Sequence, residues 1–329
     1  VSDTVPITAI FSEALTTTPT ISISGGLLSN VAMSAGTASF TAADIATSAD
    51  GARSVFAADM DGDGDIDIVS ASQDDNTIAW YENNGAVNPS WTAANIATNA
   101  DTARSVFAAD MDGDGDMDIV SASLNDNTIA WYENNGASDP SWAASDIATS
   151  ANGAFSVFVA DMGGDGDMDI VSASVNDDTI AWYENNGAAD PTWAAADIAT
   201  SADGARSVFV ADMDGDGDMD IVSASTLDNT IAWYENNGAA DPSWTAANIA
   251  TSADTAKSVF AADMDGDGDM DIVSASSGDD TIAWYENNGA ADPSWAASDI
   301  ATSADGAFSV FAADMDGDGD MDICLLYTS

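Results

Sequence analysis

The chain has 329 residues, of which 57 are acidic and only 4 basic, and it contains no histidine; its formal charge is -53. That balance excludes the cationic surface on which nucleic-acid binding depends, disfavours anionic membranes, and leaves no imidazole for a hydrolytic triad. A hydrophobic content of 46% argues for a packed core rather than disorder, and no apolar run reaches the roughly 18 residues that a spanning helix needs, so no membrane insertion is expected.

Residues 1–38 stand apart from the rest and alternate in the manner of strands at 5–11, 20–24 and 31–40. The phrases Pro6-Ile7-Thr8-Ala9-Ile10-Phe11 and Pro19-Thr20-Ile21-Ser22-Ile23-Ser24-Gly25 resemble part of a bacterial Ig-like domain. The same segment also reads as closing strands for the repeats that follow. Val1 in place of a starting Met suggests a monomeric module cut from a longer chain.

From Ser39 to Ile323 the chain repeats every 51 residues. Each period reads as four short strands, in the first copy 54–60, 67–72, 77–82 and 95–98, separated by Gly-Asp, Asp-Asp-Asn and Asn-Asn-Gly turns. Four antiparallel strands per 40–50 residues is the pattern of a β-propeller blade. Asp67-Ile68-Val69-Ser70-Ala71-Ser72 is small or apolar on both faces, as blades stacked face to face require. The fold class is therefore all-β, a propeller of six blades, the last closed by both chain ends with Leu27 to Thr47 supplying the missing strands. A seven-bladed ring cut short is the alternative. The tail 324–329 breaks the repeat, and Cys324, the only cysteine, reads as a small buried hydrophobe.

The strongest chemical signal lies between the first two strands of each period. Asp59, Asp61, Asp63, Asp65 and Asp67 fall at alternate positions with Gly62 and Gly64 between them, and the loop recurs as Asp110, Asp112, Asp114, Asp116 and Asp118; as Asp161, Asp165, Asp167 and Asp169; as Asp212, Asp214, Asp216, Asp218 and Asp220; as Asp263, Asp265, Asp267, Asp269 and Asp271; and as Asp314, Asp316, Asp318, Asp320 and Asp322. At about 5 Å apart and an effective dielectric near 20, each pair of like charges repels by about 3 kcal/mol. A hard, oxygen-seeking cation such as Ca²⁺ would relieve that repulsion, with the first, third, fifth and ninth residues offering carboxylates and the seventh its backbone carbonyl. Up to six Ca²⁺ are expected. Gly163 stands where the sibling loops carry Asp, so the third site should be the weakest.

These loops, with Ser54-Val55-Phe56-Ala57-Ala58-Asp59 and Trp80-Tyr81-Glu82-Asn83-Asn84-Gly85, resemble the FG-GAP/VCBS-type repeats of integrin-like calcium-binding propellers over about 285 residues. The resemblance implies a propeller, bound calcium and an extracellular or cell-surface setting. It also implies a binding or adhesion module for a glycan or protein ligand, or alternatively a non-catalytic accessory domain of a larger secreted polysaccharide-active enzyme. The Phe-Gly and Gly-Ala-Pro signatures of the family are absent.

Alternating strand direction places the acidic loops and the Asn-Asn-Gly turns at one end of the blades and the remaining turns at the other. All four basic residues, Arg53, Arg104, Arg206 and Lys257, occupy one repeat position at that second end, with Phe155 and Phe308 in the other two copies. The turn beside them varies most between copies, as Gln73-Asp74, Leu124-Asn125, Val175-Asn176, Thr226-Leu227 and Ser277-Gly278. A ligand-binding face opposite the calcium loops is the expectation. The Trp80 and Trp91 positions read as blade-to-blade core, the Met60 position as packing. With no histidine and no activated nucleophile, no enzyme activity is expected.

Overall fold

The computed structural model of the protein describes residues 20–21, 31–32 and 43–326. Strands β1 (Thr20–Ile21) and β2 (Val31–Ala32) pair only with each other. The first blade is an antiparallel meander of β3 (Ala52–Ala58), β4 (Asp67–Ser72), β5 (Thr77–Asn83) and β6 (Trp91–Ala97). It is repeated by β7 (Ala103–Ala109), β8 (Asp118–Ser123), β9 (Thr128–Asn134) and β10 (Trp142–Ala148), then by β11 (Ala154–Ala160), β12 (Asp169–Ser174), β13 (Thr179–Asn185) and β14 (Trp193–Ala199). The next two are β15 (Ala205–Ala211), β16 (Asp220–Ser225), β17 (Thr230–Asn236) and β18 (Trp244–Ala250), and β19 (Ala256–Ala262), β20 (Asp271–Ser276), β21 (Thr281–Asn287) and β22 (Trp295–Ala301). A two-stranded sheet, β23 (Ser309–Ala313) with β24 (Asp322–Leu326), follows.

The core lies between blades, not within them. Val69, Ala71, Ile78 and Trp80 of the first blade close on Ala103, Val106, Ala108 and Tyr132 of the second, and the arrangement recurs down the stack. This is why the second strand of each blade is apolar or small on both faces: all six residues of β8 are buried. Fully burying one such Ile or Val contributes about 1.5–3 kcal/mol. Four of the five third-strand tryptophans meet the fourth-strand Trp of the next blade edge to face, among them Trp80 with Trp142 at 6.4 Å and Trp131 with Trp193 at 6.4 Å. Along the inner strands Phe56, Phe107, Phe158, Phe209, Phe260 and Phe311 form a line of touching rings. The tryptophans are thus blade-to-blade core, and Met60, 1% exposed, is packing.

Hydrogen bonds lock adjacent blades in register. Ser54 Oγ accepts the Val106 N–H at 3.3 Å, and Ser105 Oγ accepts that of Val157 at 3.2 Å. Asn76, in the turn after β4, accepts the Thr102 N–H at 2.9 Å. The guanidinium of Arg206 lies 4.3 Å from the Phe155 ring in the preceding blade and 4.9 Å from Phe308 two blades on. Contact across that span requires the inner strands to curve about a common axis.

The fourth strand differs from expectation, beginning at Trp91 rather than Asn95. Its alanines give little strand signal, and the strand forms because it completes the ladder of β5 from Asn83↔Trp91 to Ile78↔Ala97. At the ends of the stack, Val55 is 68% exposed where its equivalents Val106 and Val310 are 4% exposed, and Phe311 is 51% exposed. The strands expected between Leu27 and Thr47 to complete the last blade fall mostly outside the described residues; within them, β24 pairs with β23 alone. Two details depart from the reading of the tail. Strand β24 continues through Cys324 to Leu326, and Cys324 is exposed rather than buried.

Candidate metal centre

Each acidic loop is a local construction that turns the first strand of a blade into the second. In the first copy Asp59 Oδ1 accepts the Gly62 N–H at 2.9 Å and its Oδ2 that of Gly64 at 3.0 Å. Asp61 and Asp63 accept the N–H groups two residues on, from Asp63 at 3.2 Å and Asp65 at 2.9 Å. Carboxylates that fold back on their own backbone in this way need a chain that can take positive φ, and Gly62 and Gly64 adopt 73° and 94°.

The ninth residue of the loop is built differently. Asp118 is buried; its Oδ2 accepts the Met111 N–H at 3.1 Å and its Oδ1 the Asn134 N–H at 2.7 Å. In the first blade Trp80 Nε1 adds a third donor, 3.0 Å from Asp67 Oδ2. In the later blades the indole still lowers the carboxyl pKa, but its N–H lacks a partner of good hydrogen-bond geometry. Burial outweighs these donors: it pushes Asp118 and Asp220 up to about 7 and Asp169 to about 6. A carboxylate held so firmly anchors the loop to the third strand.

The seventh residue points elsewhere. A Cβ placed on Gly85 would collide with Asp65 Oδ2, and the same holds for Gly136 with Asp116, Gly187 with Asp167, Gly238 with Asp218 and Gly289 with Asp269. These carboxylates lie against the Asn-Asn-Gly turns, so both connections share one end of the blades. Only their backbone carbonyls remain for a loop-bound cation. Asn134 joins the construction to the neighbouring blade: its Nδ2 donates to Met60 O at 2.9 Å and to Met117 O at 3.0 Å. Asn185, Asn236 and Asn287 repeat the tie to Met111, Met162 and Met213. The sequence did not mark this Asn as more than a turn residue, although its invariance among the five repeats was visible.

The first and third carboxylates converge with either the fifth or the ninth. Asp59, Asp61 and Asp63 present oxygens within 4.8 Å of one another, as do Asp110, Asp112 and Asp118; Asp212, Asp214 and Asp220; Asp263, Asp265 and Asp267; and Asp314, Asp316 and Asp322. Desolvation first, then the neighbouring carboxylates, raise Asp61, Asp112 and Asp214 above the usual range. An all-oxygen donor set whose like charges oppose its own ionisation fits a hard divalent cation, and these clusters could hold metal ions. The loop 161–169 is the exception among the described residues: Asp161 accepts from Asp165 and Gly166 at 3.1 and 2.9 Å, while Gly163 contributes no carboxylate and the loop gathers no such trio.

Comparison with known proteins agrees with this geometry. An FG-GAP-like repeat matches five times, at residues 59–121, 111–172, 164–223, 212–274 and 263–325. No curated protein matches the chain. Among solved structures, the Vibrio cholerae biofilm matrix protein Bap1 is similar over 79% of this chain and 40% of its own length, at 21% identity and a TM-score of 0.47. A protein from Lactobacillus plantarum is similar over 76% of this chain and 71% of its own, at 16% identity and a TM-score of 0.51, a likeness of fold. The periplasmic gluconolactonase PpgL of Pseudomonas aeruginosa is similar over 74% and 72%, at 11% identity and a TM-score of 0.49. Repeats matched from Asp59 to Leu325, each carrying its acidic loop between the first two strands of a blade, place this chain in the FG-GAP-like repeat family.

Proposed function

We propose that the protein is a calcium-stabilised propeller that works outside the cell as a binding or adhesion module, taking a glycan or protein ligand on the face opposite the acidic loops. The convergence of three carboxylates in five of the six acidic loops, always with the first and third positions, carries the calcium part of this reading. Each loop connects two strands of its own blade, so the ion's task is to hold each turn closed against its own charge. Among the described residues no helix is long and apolar enough to cross a membrane, which is compatible with that setting.

No catalysis is assigned. Paired carboxylates are abundant, but the loops already use them, and the chain offers no histidine to act as a base.

With a dissociation constant near ~10⁻⁴ M, common for extracellular modules, a free Ca²⁺ concentration near ~10 mM stabilises the fold by about 2.7 kcal/mol per site. Thermal melts should fall steeply in EDTA and recover with added calcium; an unchanged melt refutes the structural role. A glycan array and a protein pull-down, each run with and without calcium, test the module role, and turnover of a polysaccharide would contradict the non-enzyme assignment.

A further inference from the structure

The four basic residues of the chain share one position of the repeat, and two of them, Arg104 and Arg206, converge on the Phe155 ring. In β3, β7, β15 and β19 the ladder skips one residue, between Ala52 and Ser54, Ala103 and Ser105, Ala205 and Ser207, and Ala256 and Ser258. The skipped residues are Arg53, Arg104, Arg206 and Lys257; Phe155 is skipped in β11, and Phe308 immediately precedes β23. A bulge leaves its residue outside the ladder and re-aims the side chain. Here the aim is inward: Arg104 lies 4.9 Å from the Phe155 ring, and Arg206 spans from that ring to Phe308.

Among the described residues these cations have few hydrogen-bond partners. Arg53 Nε donates to Gln73 Oε1 at 2.7 Å, a neutral acceptor. Arg104 Nε is buried and has no hydrogen-bond partner among the described residues. Asp74 acts on Arg104 only at a distance. Aromatic faces attract guanidinium groups but leave their N–H donors unfilled. Burial, followed by Arg104 and Arg53, lowers Arg206 to about 10, and Lys257 is lowered by burial and then by Arg206. In a chain of charge -53, cations gathered together with a buried guanidinium nitrogen left unpartnered among the described residues form a site suited to a counter-charge.

We propose that the axial end opposite the acidic loops binds a small oxyanion, a carboxylate or sulfate group held by Arg104 and Arg206 with Arg53 and Lys257 at its rim. This rests on reading that end as the ligand face. Forked guanidinium donors suit such groups. The ligand is small because Asp74, Asp126, Asp177, Asp228 and Asp279 occupy the turns at the same end, where a polyanion would meet repulsion that one charged group on the axis escapes. The group enters either as a free ion or as the charged end of a saccharide.

The test is calorimetric and NMR titration of the calcium-saturated full chain with sodium sulfate, with glucuronate and with a neutral oligosaccharide ending in one glucuronate, at constant chloride. Saturable binding is expected, weakened at least tenfold in Arg206→Gln and severalfold in Lys257→Gln. Lys257→Gln keeps the test open if Arg206→Gln does not fold. Oligosaccharide binding tighter than sulfate supports a saccharide end; equal binding supports a free oxyanion. Non-saturable binding, or equal binding by wild type and variants, overturns the site. A blank glycan array beside saturable, Arg206-dependent sulfate binding supports the axial site and removes the adhesion reading. Array binding that persists in Arg206→Gln without saturable sulfate or glucuronate binding does the reverse.

Discussion

At the scale of single residues, the chain shows how closely a repeat constrains its exceptions. Gly163 replaces the third-position carboxylate of one loop, and Gly163→Asp should add one site of higher Ca²⁺ affinity in a calorimetric titration; an unchanged isotherm contradicts the ligand assignment. Thr255 marks a second exception. It adopts φ 58°, in the left-handed region, as its equivalent Thr102 does at 61°, where the other four sibling turns carry Gly51, Gly153, Gly204 and Gly306 at 67°, 73°, 70° and 62°. A β-branched residue is strained there. Thr255→Gly should therefore raise stability by up to about 1 kcal/mol in urea denaturation, even though the bond from Thr255 Oγ1 to Asp254 Oδ1 is lost.

At the scale of elements, strands of ordinary length are made stable by what crosses between blades. Asn185 is 2% exposed and donates to Met111 O at 2.7 Å and Met168 O at 3.0 Å, while its Oδ1 accepts the Gly187 N–H at 3.0 Å. Asn185→Ala orphans one buried and one part-buried carbonyl and unties the acidic loop of the preceding blade. It should cost about 1–3 kcal/mol by chemical denaturation. Replacing the exposed Asn186, which caps only its own turn, should cost less. Strand four of each blade explains why its start was misplaced: in Trp193–Ala199 only the first residue and the last two are better than exposed, so little hydrophobic pattern marks it.

At the scale of the molecule, stability is a sum over blade interfaces, four of which hold a buried tyrosine. Burial raises Tyr132, Tyr183, Tyr234 and Tyr285 above the ordinary value of 10.0 against the opposing hydrogen bonds from Ser121, Ser172, Ser223 and Ser274. A raised folded-state pKa means that these groups contribute stability in full below pH 10 and lose it as pH climbs through the folded value. Alkaline melting midpoints should fall above pH 10, with phenolate absorbance appearing together with unfolding. Phenolate formed near pH 10 in a folded protein would contradict the assignment.

The sequence by itself determined the blade and its loop. Both are local: a 51-residue period, turn residues at fixed offsets and alternate carboxylates act over short stretches, so their spacing can be read directly from the sequence. Tertiary structure decided what depends on distant partners. It turned Asp67, Asp118, Asp169, Asp220 and Asp271 into buried anchors, made Asn134, Asn185, Asn236 and Asn287 ties between blades, and aimed the Asp65 position at a glycine turn. It also brought Arg104 and Arg206 together across a bulge, because their meeting depends on the curvature of the whole stack and on no feature of any single repeat.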